Sequence, residues 1–184
     1  GIGDGGKSFA KDAYLIGRQY MRLRRYGEAR EWLRRVGGKS DDLSVLGKLA
    51  EAQVRACNGA LLADGDSRFA AGDYQGARER YARLSQGLRG SEAVGHAVFL
   101  RSACVYCKLR DYEYARLSVL HSLKSEQETD HALALLELLQ SLLRPQSEGA
   151  PAPQPGKQIE TRLTDRVAVV MASLRARTEF ETAT

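Results

Sequence analysis

Proline is the residue a helix interior tolerates least, at a cost of about 3 kcal/mol. All four prolines of this 184-residue chain lie between Pro145 and Pro155. The 144 residues before them are rich in Ala, Leu, Arg and Glu and poor in β-branched residues, a composition that reads as helix almost throughout. With 43% hydrophobic and 28% charged residues, the chain can bury a core, and disorder is excluded for most of it. No apolar run approaches the ~20 residues needed to cross a bilayer. The glycine-rich opening lacks the apolar core of a secretory signal and, starting at Gly1 rather than Met, reads as a trimmed start.

The prolines also set the expected domain organisation: a helical array over residues 1–144, a Pro-rich linker over 145–157 and an amphipathic helix with a tail over 158–184. In the last segment Ile159, Leu163, Val167, Val170, Met171 and Leu174 recur at helical spacing. That stripe suits either folding back on the array or docking on a partner. Before the linker, Ser125 to Glu128 has capping-box spacing and opens a leucine-rich helix, His131–Leu143. Its leucines cover more than one face, so it needs cover on two sides.

Within the array three segments align. They are Arg25-Tyr26-Gly-Glu-Ala29-Arg-Glu-Trp-Leu33, Asp73-Tyr74-Gln-Gly-Ala77-Arg-Glu-Arg-Tyr81 and Asp111-Tyr112-Glu-Tyr-Ala115-Arg-Leu-Ser-Val119. Each has Tyr, Ala three later, Arg next, and a large residue four after the Ala. Helices with a small residue before Tyr20 and Tyr106 (Gly17 and Ala103) precede the first and third. Ala29 to Ala77 spans 48 residues and Ala77 to Ala115 spans 38. The helix around Asp42–Ala71 is therefore either unusually long or broken near Gly59 or Gly65, with Ser40 as its expected cap.

These residues resemble the tetratricopeptide repeat (TPR), a 34-residue helix–turn–helix unit, over roughly residues 8–125. The resemblance implies an all-α fold: a right-handed superhelical array of antiparallel helix pairs, a TPR-like α-solenoid with a capping helix. It also implies a concave groove lined by the first helix of each pair. Carried over position by position, that groove shows Lys11, Tyr14, Arg18, Met21 and Arg22, then Leu62, Asp66 and Phe69, then Leu100, Cys104, Cys107 and Lys108. The carboxylate clamp of chaperone-tail-binding members is missing, because Tyr14, Arg18, Asp66, Leu100 and Cys104 occupy the corresponding places.

The net charge of +5 is local: residues 1–60 hold 12 Lys and Arg against 7 Asp and Glu, and the rest of the chain is balanced. The densest basic run is Arg18, Arg22, Arg24, Arg25, Arg30, Arg34 and Arg35, interleaved with Glu28 and Glu31. It reads as a solvated helix surface or a site for an acidic peptide, with nucleic acid less favoured. Three cysteines argue against a disulfide scaffold and for a reducing compartment, cytoplasmic or nuclear. Gly1 to Ser8 matches G-x-x-x-x-G-K-[ST], yet no strand precedes or follows it as a phosphate loop requires. Cys104-Val-Tyr-Cys107 lacks the second ligand pair zinc needs, and His96, His121 and His131 are scattered.

No catalytic constellation, metal site or cofactor site emerges. The expectation is a non-enzymatic scaffold that binds a peptide or helix of a protein partner, with an acidic part and an apolar anchor. A substrate-holding chaperone of the small secretion type, or a self-associating subunit, are the alternatives.

Overall fold

A computed structural model describes residues 4–36, 45–86, 93–123, 129–143 and 155–183. They form eight α-helices and, among the described residues, no strand. In order they are α1 (Asp4–Arg22), α2 (Tyr26–Val36), α3 (Val45–Ala70), α4 (Tyr74–Ser85), α5 (Ala93–Lys108), α6 (Tyr112–Ser122), α7 (Thr129–Leu143) and α8 (Pro155–Ala183). The chain divides into two compact units, Gly1–Leu62 and Ala63–Thr184, and the division falls inside α3.

Three helix hairpins share one turn. In α1–α2 the Arg25 N–H donates to the Tyr20 carbonyl and the Arg24 N–H to that of Met21. The same pair of bonds recurs as Asp73 to Arg68 with Gly72 to Phe69, and as Asp111 to Tyr106 with Arg110 to Cys107. This is the Schellman ending, which satisfies two orphan carbonyls by turning one residue left-handed. That residue is Arg24 (φ 55°), Gly72 (φ 81°) and Arg110 (φ 59°). The offsets are again 48 and 38. Tyr26, Tyr74 and Tyr112 each open the next helix.

The crossings inside the hairpins depend on small residues. Ala29, Ala77 and Ala115 are fully buried, and so are Tyr81 and Val119, with Leu33 nearly so. A Cβ on Gly17 would sit 2.7 Å from Leu33 Cγ and 3.3 Å from the Ala29 carbonyl. A Cβ on Gly65 would fall against the Tyr81 ring, 3.0 Å from Cδ1 and Cζ. Gly65 therefore plays in α3 the part of Gly17 in α1, and fully buried Ala103 stands at the matching place in α5.

α3 is one unbroken helix of 26 residues, so neither Gly59 nor Gly65 interrupts it. In the first unit its Ala50 and Cys57 join Ala29 and Leu33 in a core, with Tyr14, Tyr20, Met21, Tyr26 and Val54 packed around them. The expected cap at Ser40 and the capping box at Ser125–Glu128 lie outside the described residues.

In the second unit α5 lies among α4, α6 and α8, and α7 packs on α6 and α8. α8 begins at Pro155, ahead of the expected 158, with proline in the first-turn position that suits it. Its stripe of Leu163, Val167, Val170, Met171 and Leu174 is buried, and Ile159 is half-buried. The leucine-rich α7 buries Leu135, Leu136 and Leu139 and leaves Leu133 exposed.

Candidate functional site: two interaction surfaces

The first surface belongs to the first unit. Lys11, Arg18 and Arg22 are exposed and spaced seven and four apart on α1, which places them along one side of the helix. Tyr14 is half-buried: its hydroxyl accepts a hydrogen bond from Gln53 Nε2 at 2.9 Å, and the Arg18 guanidinium lies 6.0 Å from its ring centroid. Met21 is half-buried against the Ala29–Leu33 core.

The rest of the basic run is partly committed to internal contacts. Arg25 donates to Glu28 Oε1 at 2.6 Å and packs over Tyr20, and Arg35 packs over Trp32 at 4.4 Å. Arg30 is 6% exposed and donates to Asn58 Oδ1 at 3.5 Å. Among the described side chains of α1, the outward cations are thus Lys11, Arg18 and Arg22.

The second surface lies on α5 and α7. Here the sequence expectation needs correction. Leu62, Phe69 and Leu100 were expected on the groove surface, with Asp66, Cys104 and Cys107, and all six are buried. Phe69 is folded edge-on against Tyr74, with ring centroids 5.2 Å apart. Leu100, Cys104 and Cys107 lie on α5, which is enclosed by α4, α6 and α8. Lys108 keeps partial exposure and lines a cleft of about 400 Å³ with Arg110, Tyr112, Lys157 and Glu160.

A buried ion pair stands at the floor of this surface. Arg101 is fully buried and Asp66 is 7% exposed. Arg101 Nε donates to Asp66 Oδ1 at 2.9 Å and Nη2 to Oδ2 at 3.0 Å, a two-pronged contact. The Tyr81 hydroxyl donates to the same carboxylate at 2.5 Å. Burial, and then the Asp66 charge, push the Tyr81 phenol above its ordinary range.

Arg101 Nη2 also reaches α8, donating to the Leu174 carbonyl at 2.9 Å and to Thr178 Oγ1 at 2.8 Å. Arg175 Nη2 returns from α8 to the Asp66 carbonyl at 2.9 Å. At the other end of α8, the Tyr112 hydroxyl donates to Glu160 Oε1 at 3.2 Å. Sequence reading missed this network. Asp66 and Arg101 are 35 residues apart, and no periodicity links them.

The other motifs fall away from chemistry. Asp4 to Ser8 forms the helical first turn of α1, and among the described residues there is no strand to carry it as a phosphate loop requires. Cys57, Cys104 and Cys107 are free and buried. Burial raises all three thiols: Cys57 to about 11, Cys107 to about 12, and Cys104 well above its ordinary value. A nucleophilic or metal-binding cysteine needs the opposite shift. Among the described residues no group of His, Cys, Asp or Glu is placed to hold a metal ion, and no helix is long and apolar enough to cross a membrane. Comparison with known protein families, curated proteins and solved structures finds no match to this chain.

Proposed function

We propose that the chain is a non-enzymatic protein–protein interaction module, a TPR-like array that holds a peptide or helix of a protein partner and assembles a complex. The observation that carries this reading is the repeated hairpin. Three copies share the turn bonds, the left-handed residue, the opening tyrosine and the small-residue crossing, at offsets of 48 and 38. In repeat arrays of helix pairs, the faces of the first helices bind extended or helical segments.

On α1 the exposed Lys11, Arg18 and Arg22 suit an acidic stretch of the partner. The buried, unreactive thiols fit a reducing compartment, cytoplasmic or nuclear. The test is capture of a partner by the full chain and by an Arg18→Glu, Arg22→Glu double variant. Both arginines are exposed, so helicity is expected to stay unchanged while capture is lost and becomes salt-sensitive in the parent. Capture that ignores both substitutions contradicts the proposal.

A further inference from the structure

The face of α5 and α7 already holds a helix, and that helix is the chain's own α8. Its occupant has the features of a bound ligand. A single apolar stripe is buried, the opposite side (Thr164, Ala168, Val169, Ala172) is exposed, and polar contacts occur at its two ends. Residues 144–154 join α8 to α7; 11 residues reach up to about 36–40 Å when extended, which is ample for release and return.

The floor tolerates that release. Arg101 is neutralised by Asp66 through two hydrogen bonds that involve no atom of α8. Withdrawal of α8 removes the Leu174 carbonyl and the Thr178 hydroxyl but strands no single charge. Arg175, whose Nη2 donates to the Asp66 carbonyl, leaves with the helix. A group that bound α8 only by an unpaired Arg101 would lock it in place; this arrangement does not.

We propose that α8 is a displaceable, autoinhibitory occupant of the α5–α7 face, and that the partner fitting this face is an amphipathic helix with the pattern of α8. This inference rests on the interaction-module reading and specifies its partner and regulation. The pattern is read from the contacts. Apolar residues stand at a first position and at 4, 7, 8 and 11 beyond it, as in Leu163, Val167, Val170, Met171 and Leu174. A basic residue follows at 12, as in Arg175, to reach the Asp66 carbonyl. A Ser or Thr follows at 15, as in Thr178, to accept from Arg101. Because Arg101 also binds a main-chain carbonyl, part of the recognition is indifferent to the partner's sequence.

The experiment uses the full chain and a fluorescent peptide of residues 155–183 as probe, read by anisotropy. A tethered helix competes at an effective concentration in the millimolar range, so the closed chain binds probe only with an apparent Kd near ~1 mM or weaker. A Val167→Glu, Val170→Glu chain puts two charges into the buried stripe, releases α8 and is expected to bind probe at least ~30-fold more tightly. A milder Arg175→Gln, Thr178→Val chain loses only polar contacts, keeps its core, and is expected to gain ~3–10-fold. A probe carrying both Glu substitutions is expected not to bind. Equal affinity of parent and both variants overturns the inference, as does absence of binding to either helical variant. If the probe results fail while capture still depends on Arg18 and Arg22, the interaction module stands without this regulation. If the probe behaves as expected while capture ignores those arginines, the groove is right and the α1 surface is wrong.

Discussion

Replacing Arg101 with leucine probes the buried ion pair that joins α3, α5 and α8 in the second unit. The substitution removes five hydrogen bonds: two to the Asp66 carboxylate, one each to the Leu174 carbonyl and Thr178 hydroxyl, and a longer one to the Ala97 carbonyl at 3.4 Å. It leaves the Asp66 carboxylate, 7% exposed, with the Tyr81 hydroxyl as its remaining donor. Breaking a buried pair from one side costs about 3–5 kcal/mol, chiefly through the stranded charge. For a domain of this size that corresponds to a fall in Tm of about 6–20 °C.

Urea unfolding at 25 °C, followed by far-UV circular dichroism, measures the loss as a lower midpoint at constant slope. The Asp66→Leu, Arg101→Leu double variant is the informative control. It strands no charge and leaves only the Tyr81 hydroxyl unmatched, so it is expected to recover much of the loss, with a coupling energy of at least about 2 kcal/mol. A cost below about 1 kcal/mol for Arg101→Leu, or strictly additive single losses, would refute the claim that this pair is dehydrated and mutually dependent.

Three further outcomes follow from the same geometry. Gly65→Ala forces a methyl group into the Tyr81 ring and is expected to cost about 1–3 kcal/mol by urea unfolding, and Gly17→Ala a similar amount against Leu33. At the left-handed turn residues, Gly72→Ala is expected to destabilise by about 1–2 kcal/mol and Arg24→Gly to stabilise by a few tenths to about 1 kcal/mol; the opposite signs would show the turns are misassigned. Stability is expected to fall as pH rises from about 9 toward 12: the folded thiols keep their protons up to about 11 (Cys57) and 12 (Cys107) while unfolded ones lose theirs near 9, so the folded state binds more protons in that window. A flat midpoint across that range, or labelling of these thiols at pH 8 in the native chain, would contradict their burial.

Local pattern and long-range pairing were not equally legible in the sequence. The helix openings at Tyr26, Tyr74 and Tyr112 and the buried Ala29, Ala77 and Ala115 follow from short-range spacing, and they were readable because every copy repeats it. Gly65 was readable by applying the 48-residue offset to Gly17, but the charged Asp64 and Arg68 beside it obscured the match. Those two form polar contacts on the outside of this hairpin: Arg68 bonds Asp73 at 2.9 Å and Asp64 pairs with Arg80 at 2.6 Å.

The groove was misread for a different reason. Position-by-position transfer assumes an open face, whereas α8 covers α5. Its amphipathic stripe was plain in the sequence, but periodicity identifies a face that needs a partner without identifying the partner. Nothing in the sequence ties Asp66 to Arg101, so position-by-position transfer puts Asp66 on the groove surface.

Native-state hydrogen exchange on the full chain tests the central claim most directly, because it resolves opening of α8 from unfolding of the helices beneath it. The account predicts that amides of residues 163–174 exchange through an opening with clearly less protection and a smaller denaturant dependence than those of residues 100–107 in α5, and that excess probe peptide leaves α5 protected while α8 exchanges faster. Equal protection and equal denaturant dependence in α8 and α5 would make α8 a permanent part of the core and contradict its role as a displaceable occupant.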